Sequence, residues 1–133
     1  MGFSGTIPRI ERRAKDVGRL TRIAPELPVA NMADSVEYYA ERLGFEIAAM
    51  LPDRDYAILE RDDVALHLFE VQAGTHTPVA IHAFASGLEE LHAELTNRGA
   101  LITQDIVRQP WGNREFRVTD PTGNMIKFTE PTA

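Results

Sequence analysis

The sequence predicts an α+β fold made of two tandem β-α-β-β-β modules, and three observations carry that prediction. Beyond residue 22 one order of apolar patterns runs through the chain twice. Each copy holds a helical stretch ended by a glycine, first Gly44 and then Gly99, 55 residues apart. Downstream landmarks keep nearly the same offset. Tyr56 stands 59 residues before Glu115 and His67 stands 60 before Lys127, so one added turn residue separates the two registers.

Module one spans residues 23–73. It opens with the extended run Ile23–Val29, where Pro25 and Pro28 confine the strand to an edge or exchanged position. Asp34 or Ser35 is the expected cap of a helix whose apolar side is Val36, Tyr39, Ala40 and Leu43. Strands follow at Phe45–Leu51, Tyr56–Glu60 and Val64–Val71, the last two joined by a turn at Arg61-Asp62-Asp63. Module two, residues 78–130, repeats the order. Pro78–Ala85 is a strand, and Ser86 caps a helix carrying Leu88, Leu91 and Leu95. Strands Leu101–Arg108, Arg114–Thr119 and Met125–Thr129 complete it. Neither unit closes a core alone. Each offers a curved sheet with a helix behind it and a concave side for a ligand or a partner unit.

Composition narrows the function. The 133 residues, 44% hydrophobic and 26% charged, suit one domain over residues 23–133. No apolar run approaches the roughly 20 residues of a membrane span, so no membrane role is expected. There is no cysteine, which excludes disulfides, thiolate zinc sites and a cysteine nucleophile, and fits a cytoplasmic location. The net charge of −6 is unevenly spread. In the basic arm, residues 1–22, Arg9, Arg12, Arg13, Lys15, Arg19 and Arg22 outweigh Glu11 and Asp16 to give +4, which leaves −10 on the body. Such a body repels nucleic-acid phosphate and attracts a cationic small molecule. Within residues 9–21, Ile10, Ala14, Val17 and Leu20 recur at helical spacing, as in a short amphipathic helix suited to docking on an acidic surface.

Two segments carry a resemblance. Pro28-Val-Ala-Asn-Met-Ala-Asp-Ser-Val-Glu-Tyr-Tyr-Ala-Glu-Arg-Leu-Gly-Phe45 resembles the opening helix region of the vicinal oxygen chelate superfamily. Gln109-Pro-Trp-Gly-Asn-Arg-Glu-Phe-Arg-Val-Thr-Asp-Pro-Thr-Gly-Asn124 is similar to the signature of its bleomycin resistance branch. The resemblance covers about residues 23–130. It implies a homodimer with two clefts at the subunit junction, often with an exchanged first strand, and resistance by sequestering the drug without chemistry. Enzymes of the superfamily hold a divalent metal at four strand positions, which align with Ala24, His67, Ala80 and Lys127. Alanine has no lone pair to give, and a lysine ammonium has no acceptor. Only His67 remains, so no metal and no cofactor are expected.

The candidate ligand contacts follow. Trp111, the only tryptophan, lies in a Pro-Trp-Gly loop where Gly112 lets the backbone turn beside a large ring. Tyr56 matches, by resemblance, a second drug-stacking aromatic, and two facing rings suit a flat heteroaromatic group. His67 shares a strand face with Ala65 and Phe69 and reads as a cleft or core histidine. Asp53, Asp55 and Glu60 are candidate acids for a cationic tail. Two further readings stay open. One is a metal-dependent lyase- or isomerase-like enzyme of the same superfamily. The other is a docking module whose basic arm engages another macromolecule.

Overall fold

The computed structural model describes residues 18–51, 53 and 55–132. Module one runs β1 (Glu26–Val29), α1 (Met32–Glu37), β2 (Glu46–Leu51), β3 (Tyr56–Arg61) and β4 (Val64–Glu70). Module two runs β5 (Ala80–Phe84), α2 (Leu88–Arg98), β6 (Ile102–Arg108), β7 (Arg114–Thr119) and β8 (Met125–Glu130). The two sheets share one order, β1-β4-β3-β2 and β5-β8-β7-β6. In each, the first strand pairs parallel to the last and the other pairs are antiparallel. The predicted repeat is therefore a repeat of topology. β1 lies at a sheet edge, as Pro28 within it requires. It pairs parallel with β4 of its own chain.

The helix starts differ from expectation. The cap of α1 is Asn31, not Asp34 or Ser35; its side-chain oxygen accepts from the Asp34 N–H at 3.0 Å. A carboxylate oxygen of Glu70 accepts from the Met32 N–H at 2.8 Å, so a neighbouring strand supplies a second partner to the first turn. At α2 the cap position is Gly87 and Ser86 makes no cap; Glu130 accepts from the Gly87 N–H at 3.0 Å. The end of α1 widens into a π turn over Tyr38–Arg42, closed by the Leu43 N–H on the Tyr38 carbonyl at 3.2 Å. Gly18–Pro25 is not helical and Leu20 is exposed, so the amphipathic helix does not run through Leu20. The rest of that expected helix lies outside the described residues.

One apolar cluster joins the modules, with Leu27, Leu59 and Leu68 from the first and Leu95, Phe116 and Ile126 from the second. Polar locks cross the same seam. The Tyr38 hydroxyl donates to the Thr119 carbonyl at 2.8 Å, and Tyr39 donates to buried Asp120 at 2.8 Å. Asn124, fully buried, donates from its side chain to the Pro28 carbonyl at 2.7 Å and accepts from the Val79 N–H at 3.0 Å. The Asp120–Asn124 turn is thus a rivet between modules. Strand alternation buries one face of each sheet in this core and leaves the other uncovered. Among the described residues no helix is long and apolar enough to cross a membrane.

Candidate functional site

The uncovered faces carry the candidate residues. On the first sheet, β1 contributes Glu26, β3 contributes Tyr56, Ile58 and Glu60, and β4 contributes His67 and Phe69. Register sets Glu26 directly beside His67 and Tyr56 beside Phe69. On the second sheet His82 sits beside Lys127 and Glu115 beside Thr129. By the repeat, Glu26, Tyr56 and His67 occupy the places of His82, Glu115 and Lys127.

These equivalent trios are wired differently. In the first, the Tyr56 hydroxyl lies 2.5 Å from a Glu26 carboxylate oxygen and 2.6 Å from His67 Nδ1, with the two rings edge to face at 5.5 Å. Desolvation, then the hydrogen bond to Glu26 and its charge, push the Tyr56 phenol up to about 12. In the second, His82 Nδ1 lies 2.9 Å from the Thr129 hydroxyl and its ring stacks on Phe84 at 5.9 Å. Glu115 is only 2% exposed and accepts from Arg117 Nε at 2.8 Å. The Lys127 ammonium has no partner among the described residues. The faces differ in charge as a result. The first carries Glu26 and Glu60, with Arg22 reaching Glu60 at 2.9 Å; the second carries Arg117 and Lys127 against Glu115.

The expected ligand contacts divide between the two sheets. Tyr56 and His67 meet in one hydrogen-bonded group, and Glu60 shares their face. Asp55 immediately precedes them in a left-handed turn (φ 49°), its carbonyl accepting from the Glu70 N–H at 3.0 Å. Trp111 and Gly112 lie on the β6–β7 connection of the other module. Trp111 is 69% exposed. Gly112 is tied at both backbone groups, donating to the Gln109 carbonyl and accepting from Arg108, each at 2.8 Å. Glu26 and Phe84 were missed. Their signal is the alternation of β1 and β5, which puts Glu26 and Phe84 on the open faces once the strand register is known. His76, expected to be ordinary linker, has both ring nitrogens buried without a hydrogen-bond partner among the described residues. Separately, a groove of about 600 Å³ opens at the module seam, lined by Phe45, Val64, Phe84 and Leu91 together with Asp62 and Asp63.

The donor groups described on the open faces do not converge on an ion. Glu26 and His67 are bridged by the Tyr56 hydroxyl, and Lys127 beside His82 offers no lone pair while charged. Among the described residues no three His, Asp or Glu side chains gather closely enough to hold an ion. Within one chain, the residues do not fit a metal site.

Residues 19–128 match the Glyoxalase/Bleomycin resistance protein/Dioxygenase superfamily. The chain belongs to it. A bleomycin resistance protein of Geobacillus stearothermophilus is 27% identical over 123 residues, covering 78% of this chain and 92% of that protein. One from Staphylococcus aureus matches to the same extent. The superfamily's fold is shared with solved structures at lower identity. The bleomycin resistance determinant encoded on transposon Tn5 has a TM-score of 0.75 at 22% identity, covering 86% of this chain and 100% of that one. TioX from Micromonospora sp. ML1 has 0.72 at 23%, covering 83% and 98%. A lactoylglutathione lyase from Agrobacterium tumefaciens has 0.69 at 15%, covering 86% and 96%. One scaffold thus serves proteins named for binding and for catalysis, so the side chains of the open faces must decide between them.

Proposed function

We propose that this protein binds and sequesters a planar, cationic small molecule of bleomycin type, without chemistry and without metal, as a homodimer that brings the two kinds of open face together. The observation that supports the reading is the face holding Glu26, Tyr56 and His67, where the phenol takes up both the carboxylate and the imidazole in hydrogen bonds. Trp111, exposed on the β6–β7 connection, supplies a flat surface for a ring, and Glu60 and Asp55 favour a cationic tail. Holding a drug at micromolar concentration takes roughly −8 kcal/mol. Stacking contributes about 0.5–1.5 kcal/mol per ring beyond area burial, so most of the affinity must come from enclosing a long ligand between faces.

Titrating bleomycin while following Trp111 fluorescence tests this. A saturable change is expected in the parent protein, with Trp111→Ala about tenfold weaker by calorimetry. No saturable binding by either method overturns the bleomycin reading.

One observation favours a second reading. Glu26 beside His67 on one face and His82 on the other are three groups able to donate a lone pair, which an assembly of two chains is able to bring together. That would suit a metal-dependent lyase- or isomerase-like enzyme. Stoichiometric nickel, zinc, iron or manganese after purification without chelator would select it.

A further inference from the structure

Tyr56 is not free to act only as a flat platform, because its hydroxyl is engaged on both sides. A phenol has one hydrogen to give. The ionised Glu26 carboxylate is an acceptor only, so the hydrogen goes to it across 2.5 Å. The phenol oxygen is then left to accept, and the group facing it at 2.6 Å is His67 Nδ1. A neutral imidazole carries one N–H, and this geometry assigns it to Nδ1. The lone pair is left on Nε2, which has no hydrogen-bond partner among the described residues. His67 itself is half-buried on the open face. The elevated phenol keeps the proton in place well into alkaline solution.

We propose that Glu26, acting through Tyr56, fixes His67 in its Nδ1–H form so that Nε2 is a ready acceptor for an N–H group of the bound ligand, an ammonium or an amide. Glu26 and Tyr56 are positioning residues and His67 is the contact. As a statement about the ligand, this rests on the small-molecule-binding reading above; as a statement about the imidazole, it does not. Nε2 aligned against a donor is worth most when that donor is charged, because the Glu26 carboxylate stands behind the chain. The other module cannot do the same. Glu115 in the place of Tyr56 turns to Arg117, and Lys127 in the place of His67 is itself a donor. The carboxylate-backed relay is therefore confined to the first face, which sets the ligand's N–H group toward β4.

The test has two arms. Ring nitrogen NMR on histidine-labelled protein, with His67 assigned by its loss in His67→Gln, is expected to show the Nδ1–H form in the parent protein. Tyr56→Phe is expected to return it to the commoner Nε2–H form. An Nε2–H imidazole in the parent, or no change in Tyr56→Phe, overturns the relay without any ligand being present. In the second arm, bleomycin is titrated by calorimetry. Tyr56→Phe keeps the ring and removes only the hydroxyl, so a stacking residue would bind as before. The relay predicts about tenfold weaker binding, the loss of one well-placed hydrogen bond, and a similar loss in Glu26→Gln, which keeps the shape and removes the charge. Undiminished affinity in both variants overturns the ligand contact. A parent protein that binds no bleomycin strikes the drug assignment instead, and the NMR arm still decides the relay.

Discussion

At the scale of the residue, the strongest family signal in the sequence turns out to hold the molecule together. Asp120 is 3% exposed, and its carboxylate accepts four hydrogen bonds. They come from the Tyr39 hydroxyl, the Asn124 side chain and the backbone N–H groups of Thr122 and Asn124, all at 2.8–3.0 Å. Tyr39 and Asn124 are themselves fully buried, so truncating Asp120 strands donors that water cannot reach. Asp120→Ala is expected to lose about 3 kcal/mol, or roughly 10 °C in melting temperature for a chain of this size. Denaturant melts measure the first and calorimetry the second; a loss under about 1 kcal/mol would mean the turn relaxes to let water in. The motif was legible as a turn and as a family mark, but its burial was not. Nothing in Asp-Pro-Thr-Gly-Asn tells which of its polar atoms face a neighbouring module.

At the scale of the element, helix ends couple the modules. Gly44 follows the π turn with φ +74°, and a β-carbon there would lie 2.6 Å from Arg61 Nη1. That guanidinium donates to the Leu43 carbonyl at 2.7 Å and grips Glu94 of α2 with both arms, at 3.0 and 2.7 Å. Hydrogen bonding from Arg61 in turn holds the Glu94 carboxyl below its ordinary range. Gly44→Ala therefore meets both backbone strain and a displaced guanidinium, whereas Gly74→Ala, at φ +81° with open space around it, meets strain alone. The expected costs are about 2 kcal/mol and about 1 kcal/mol, read from paired denaturant melts. Equal losses would show that the Arg61 contact contributes nothing. The two glycines that ended the predicted helices were readable because left-handed closure has few chemical solutions. The starts were not. Asn31 outcompeted Asp34 because Glu70, distant in sequence, already satisfied Met32, and Gly87 displaced Ser86 because Glu130 came across from β8. Strand pairing decides such caps, and no local window contains it. The same limit hid Glu26, whose importance depends on which residue of β4 lies beside it.

At the scale of the whole molecule, the three tyrosines make one statement about alkaline stability. Tyr38 and Tyr39 fasten the seam and Tyr56 lies on the open face, yet folding raises all three phenols above their ordinary value of 10. Desolvation is the leading cause in each, and nearby carboxylates reinforce it, Asp120 at the seam and Glu26 on the face. The direction fixes the pH window. A group whose folded value is raised keeps its proton longer when folded, so its contribution is complete below pH 10. It is lost as pH rises, for Tyr56 on passing about 12. The native protein should therefore show no phenolate absorbance step centred at pH 10, while the protein in concentrated guanidinium should show all three tyrosines titrating there. Stability from denaturant melts should be flat between pH 8 and 10 and then fall. Should one tyrosine ionise at pH 10 with the fold intact, its environment is wetter than the structure has it. Tyr56→Phe tells which region is at fault: loss of that step in the variant points to the open face, and its persistence points to the seam.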